Sequence, residues 1–147
     1  MSTSIISDIS NNESFVEYWM PLMYKHPEIE FIFTKCTGMK CPKNTLKNYK
    51  YSFITRNDAV KSARNESVFL TEEYALPTYE TMVLLASLHK DNVCVNPSWQ
   101  ETGERTESFS ILKNQFIDTN LDRDQYIQKF NPKVVDTTTV YSTSISI

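Results

Sequence analysis

Only two glycines, Gly38 and Gly103, occur in a chain of 147 residues, and this scarcity restricts the fold and its chemistry more than any other feature. Ordinary proteins carry about 7% glycine. Loops that cradle phosphate need several glycines within a few positions, because only a residue without a Cβ lets the backbone approach a ligand that closely. With its two glycines far apart, the chain has neither a P-loop nor a dinucleotide-binding fingerprint. Nucleotide recognition by those routes is excluded.

The remaining composition describes one soluble globular domain. A chain of this length has room for a single full-sized core. Hydrophobic residues make up 40% and aromatic residues 12%, with a net charge of −3, far from the polar, highly charged regime of disordered chains. No apolar run approaches the ~20 residues that a membrane-spanning helix needs, so no membrane contact is expected. The opening Met-Ser-Thr-Ser-Ile-Ile-Ser-Asp has neither the basic start nor the long apolar stretch of a secretion signal. The expected location is cytoplasmic or nuclear, with a virion as a further setting, and not secreted. Three cysteines in such a compartment read as thiols or metal ligands rather than as a disulfide framework.

Patterning along the chain predicts an α+β domain: a small, mostly antiparallel sheet packed on one central apolar helix, with two further amphipathic helices and extended terminal arms. Residues 1–12 are polar and without period and read as an N-terminal arm, 13–133 as the globular domain, and 134–147 as an extended C-terminal tail. Phe15, Tyr18, Trp19, Leu22 and Met23 have the spacing of an amphipathic helix, which Pro21 must kink or restart. Alternation over 29–35 and 49–55 predicts two strands, taken as an antiparallel pair, with Glu28 and Glu30 on the solvent side. A short helix from Asn57-Asp58 through Arg64 and a strand over Ser67–Leu70 follow. The segment from Thr78 to about Lys90 is apolar around most of its circumference and is the predicted central helix. Val93–Val95 reads as a brief strand. Glu104–Ile117 and Asp122–Phe130 read as amphipathic helices, the second stopped by Pro132. The β-branched residues after Val134 favour extended backbone.

Three constellations bear on function. Residues 35–64 hold eight Lys and Arg against Asp58 alone, a local balance of +7 in an acidic protein. Lys40, Lys43, Lys47, Lys50 and Arg56 are candidate phosphate contacts, and Tyr49 and Tyr51 candidate stacking platforms for bases, unless these aromatics face the core. Cys36 and Cys41 form a Cys-x4-Cys pair, and His89 and Cys94 a His-x4-Cys pair. Together they have the donor set of a Cys3His zinc site, the one cofactor the sequence suggests. Finally, Trp19, Met20, Leu22, Met23 and Tyr24 form an apolar block, and Val140, Tyr141, Ile145 and Ile147 lie in the tail. Both are candidate protein interfaces, the tail by adding a strand to a partner's sheet. No nucleophile and base, and no carboxylate pair, stand at a spacing that suggests catalysis. The expected function is a non-enzymatic subunit or adaptor of a larger intracellular or viral assembly, with protein partners or a homo-oligomer. The alternatives are a nucleic-acid or phosphate-binding module using the basic segment, and a small zinc-stabilised interaction domain.

Overall fold

The computed structural model describes residues 3–8, 13–34, 48–53, 55–72, 75–87 and 92–141. Among them the strands are β1 (Thr3–Asp8), β2 (Glu30–Thr34), β3 (Tyr49–Phe53), β4 (Ser67–Leu70), β5 (Ala75–Pro77), β6 (Val93–Val95), β7 (Ser98–Trp99), β8 (Phe109–Leu112), β9 (Lys133–Val135) and β10 (Thr138–Tyr141). The helices are α1 (Glu13–Lys25), α2 (Arg56–Ser62), α3 (Tyr79–Ser87), α4 (Lys113–Thr119) and α5 (Arg123–Phe130).

The main sheet has the order β3-β2-β1-β4-β8. The pairs β3–β2, β2–β1 and β1–β4 are parallel, and only β4–β8 is antiparallel. The protein is therefore mixed α and β as expected, but its sheet is mostly parallel rather than mostly antiparallel. The strands at 30–34 and 49–53, read from the sequence as an antiparallel pair, run in the same direction. Both faces of this sheet are covered, which is the usual condition of parallel sheets. Ile5, Phe31, Phe33 and Phe69 pack with Trp19, Leu22 and Met23 of α1 and with Met82 and Leu85 of α3. Ile6, Ile32, Val68, Leu70, Phe109 and Ile111 pack on the other face with Ala59 and Val60 of α2, Phe116 of α4 and Tyr126 of α5. Adjacent residues such as Ile5 and Ile6 thus enter opposite layers, as successive side chains of a strand must.

The segment expected to be an arm contains the middle strand. Thr3, Ser4, Ile5, Ile6 and Ser7 are all buried. Its polar composition hid it, because the small hydroxyls of Thr3 and Ser4 find partners inside: Thr3 donates to the Leu85 carbonyl at 3.0 Å and Ser4 to Glu30 at 2.8 Å. Residues 109–112 form β8 instead of helix. Phe109, Ser110 and Ile111 are buried on alternate faces of a strand whose register joins Leu70 to Phe109, and only 113–119 are helical. α2 is capped by Thr55, whose hydroxyl accepts from the Asp58 backbone N–H, rather than by Asn57 or Asp58. α5 matches expectation, with Asp122 and Gln125 closing a reciprocal capping box. Pro21 lies inside α1 at an exposed position, where water can serve the backbone group that proline leaves unpaired.

Two smaller sheets complete the chain. β10 lies between β5, to which it is antiparallel, and β7, to which it is parallel. β6 pairs with β9 in parallel, and the Val95 N–H donates to Ser110 Oγ at 2.8 Å, tying this pair to β8. Of the segment read as an extended tail, residues 134–141 are built into the protein's own sheets through β9 and β10, and residues 142–147 lie outside the described residues.

Candidate functional site

At the amino ends of the parallel strands lies a buried carboxylate. Glu30 opens β2 with only 2% of its surface exposed, where the alternation had placed it on the solvent side. It accepts from Ser4 Oγ, from the Arg64 backbone N–H at 2.8 Å and from Arg64 Nε at 2.9 Å, and Lys50 Nζ lies 3.0 Å away. Burial alone would raise the Glu30 pKa, but these hydrogen bonds and cations outweigh it and hold the carboxyl below its ordinary value. Lys50 also donates to the Ser62 carbonyl at 2.9 Å, so it is a strut between β3, β2 and the end of α2 rather than a phosphate contact. Asn48, just before β3, donates to the carbonyls of Met23, His26 and Ile29 and closes the α1–β2 turn from inside.

The other residues named from the sequence fall in different places. Tyr49 is 8% exposed and meets the ring of Phe33 edge-on at 6.0 Å, which makes it a core residue and removes it as a stacking platform. Tyr51 contributes backbone to the same strand. Arg56 is at the opposite end of the sheet from Lys50's partner Glu30, next to Thr71. Lys40, Lys43, Lys47, Cys36, Cys41, His89, Ile145 and Ile147 lie outside the described residues. Cys94 is fully buried, and burial pushes its thiol up to about 11, so it stays protonated at neutral pH and is a poor nucleophile or ligand in that state. No group of three or more His, Cys, Asp or Glu among the described residues is placed to hold a metal ion.

The apolar block of α1 divides sharply. Trp19, Leu22 and Met23 are buried in the core, with Trp19 edge-on to Phe31 and Phe33, and Met20 packs against the same cluster. Trp19, Leu22 and Met23 therefore present almost no surface to a partner, while Met20 is half-buried. Tyr24 remains outside at 59% exposure. In the tail, Val140 packs against the core, and Tyr141 ends a strand that pairs with β5 over Thr139–Tyr141 and with β7 over Thr138 and Thr139.

What the sequence did not single out is the outer face of α3. Read as a buried central helix, it buries Thr81, Met82 and Leu85 but exposes Tyr79 at 60% and Val83 at 45%. Tyr79 is joined to the end of α1: Lys25 Nζ lies 5.9 Å above its ring, and the His26 ring packs against it at 5.6 Å. His26 is itself buried, with Nδ1 3.1 Å from Glu28 Oε1, which makes Nδ1 the protonated nitrogen because a carboxylate only accepts. Tyr24, Tyr79 and Val83 are three of the five large hydrophobic side chains exposed among the described residues, and all three sit on the helices covering one face of the main sheet.

No protein-family model matches this sequence, and no curated protein is detectably similar to it. No helix among the described residues is long and apolar enough to cross a membrane.

Proposed function

We propose that this chain is a non-enzymatic subunit or adaptor of a larger assembly, and that its protein partner seats on the outer face of α1 and α3. One observation carries the reading: Tyr24 and Tyr79 are each more than half exposed, with Val83 one turn beyond Tyr79 on the same helix. Tyrosine offers broad apolar contact, a phenol hydroxyl for orientation and only two side-chain torsions to fix, which is why it anchors so many interfaces. Lys25 and His26 hold the Tyr79 ring in place, so part of the ordering cost of association is already met in the free protein.

A Tyr24→Ala/Tyr79→Ala variant tests the proposal. Both rings are exposed, so the variant should keep its fold within about 0.5–1 kcal/mol. Affinity capture from cells that make the protein natively, with wild type and variant as bait, should show a partner whose recovery falls at least tenfold on the variant, about the effect of one hot-spot residue. Equal recovery of every captured protein by the two baits would overturn this reading. Nucleic-acid binding by the basic segment has less support, since Tyr49 is in the core and Lys50 is paired with Glu30.

A further inference from the structure

The opposite end of the sheet has a different character. From β1 the chain steps outward to β2 and β3, then returns to set β4 on the other side of β1. Open α/β sheets hold their ligands in the crevice outside the carboxyl ends of the strands at such a reversal. Here Asp8 ends β1, Arg56 opens α2 just after β3, and Thr71 and Glu72 follow β4. Because β8 runs antiparallel to β4, Glu107 and Phe109 come to the same end, and the turn between α4 and α5 closes over them. At this end, between the start of α2, the start of β8 and the α4–α5 turn, is a cavity of about 260 Å³ lined by Arg56, Glu107, Phe109, Phe116, Asn120 and Arg123 among others.

The two arginines are not equivalent. Arg123 is saturated: it donates to the Thr106 carbonyl and pairs with Glu107 at 3.3 Å and Asp124 at 2.9 Å. Arg56 donates to the Thr71 carbonyl at 2.8 Å through one nitrogen of its five-donor fork, and the charges it faces, Asp8 and Glu72, act on it only through space. Glu72 is itself engaged, accepting from the Glu107 backbone N–H. Arg56 is open to water, yet enough protein surrounds it to lower its pKa, which is the situation of a cation at the mouth of a cleft.

We propose that this crevice binds a small zwitterion of the apolar amino-acid type, its carboxylate on the Arg56 guanidinium, its ammonium toward Glu107 and Asp122, and its side group over Phe109 and Phe116. Three features select this class. A guanidinium with unused donors calls for a planar carboxylate, which it can grip with two hydrogen bonds. Among the described lining residues the carboxylates of Glu107 and Asp122 balance Arg56 and Arg123, so a ligand carrying both charges suits the site better than a phosphate dianion does. The floor contributed by Leu70, Phe109, Phe116 and Leu121 is apolar, as pockets for small molecules generally are. An engineered cavity of about 150 Å³ accepts benzene, so this one has room for a ring with the backbone atoms of an amino acid. The crevice lies on the α2, α4 and α5 side of the sheet, away from the α1–α3 surface, so the two proposals stand or fall separately.

Titration of L-phenylalanine into the isotope-labelled full chain, followed by NMR, tests the site. Saturable shifts are expected at the Asn120 and Arg123 amides and at Arg56 Nε–H. 3-Phenylpropionate, lacking the ammonium, and phenethylamine, lacking the carboxylate, should each bind about tenfold more weakly or worse. Arg56→Gln should bring phenylalanine down to the affinity of phenethylamine, whereas Glu107→Gln should weaken phenylalanine and leave 3-phenylpropionate unchanged. The proposal is overturned by an absence of saturable shifts up to about 10 mM phenylalanine, by wild-type affinity in Arg56→Gln, or by inorganic phosphate displacing the amino acid.

Discussion

Glu30 shows how much one buried carboxylate can organise. It receives donors from β1, from β3 and from the turn after α2, so three segments far apart in sequence are fixed around one side chain. Its pKa is lowered in the folded protein, which sets the sign of its pH dependence. The folded state binds this proton less readily than the unfolded state does, so the stabilisation is complete above the unfolded value of about 4.3 and is lost as pH falls through the lower folded value. Glu30→Gln should destabilise the protein at neutral pH by about 1–3 kcal/mol, less than for a fully buried pair, because Lys50 and Arg64 can turn to water. The gap between wild type and variant in thermal or urea unfolding should be constant above about pH 5 and close toward pH 3; a gap that persists unchanged at pH 3 would show that the charge is not what matters. The alternation of residues 29–35 placed Glu30 opposite the apolar face, and that was correct. It could not show that the second face is also covered, since a period of two is the same whether the far side meets water or another layer. Lys50 and Arg64, counted as part of a basic segment, lie partly against this carboxylate, a relation that appears only once the strands are side by side.

Among the elements, those with local signals were readable in advance and those defined by distant partners were not. α5 announces itself through Asp122 and Gln125, neighbours in sequence that cap each other. β8 does not: Phe109, Leu112 and Phe116 have helical spacing, and only the ladder from Ser67↔Leu112 to Leu70↔Phe109 forces residues 109–112 to be extended. β10 is held the same way, by contacts that sequence cannot display. Thr81 on α3 donates to the Thr138 carbonyl at 2.8 Å, which leaves Thr137 as the donor in its 2.7 Å contact with the Thr81 hydroxyl. Thr78 adds a bond to the same carbonyl at 3.1 Å. Thr81→Val keeps the shape and removes the hydroxyl, stranding a buried donor, and should cost about 1–3 kcal/mol. Hydrogen exchange should then speed at Thr139–Tyr141 more than at β1 or β4. Equal acceleration across all strands would indicate that α3 and β10 are not coupled locally. The same bonds anchor the start of β10 to α3.

The whole molecule depends on both ends of the described chain. Removing residues 1–8 takes out the strand that joins β2 to β4, and removing 136–147 takes out the middle of the second sheet. Either truncation should abolish cooperative unfolding rather than merely weaken a partner contact, as a fluorescence or circular-dichroism melt would reveal; a truncated chain that still melts sharply would contradict this topology. The sequence alone supported the looser picture because Ser, Thr and Asn at the ends resemble linker composition, and nothing local distinguishes a buried hydroxyl from a solvated one. The position of β1 also affects how the protein is made. Translation delivers this strand well before β4, yet Thr3 pairs with Ser67, and the parallel ladder on that edge cannot close until β4 has cleared the ribosome. At roughly 5–20 residues per second, the nascent chain carries an unfinished edge, Ile5 and Ile6 among it, for a time on the order of seconds. Ribosomes crowded on one message would bring several such edges close together, so the tempo of synthesis, as much as the finished contacts, governs how much of this protein reaches its native sheet.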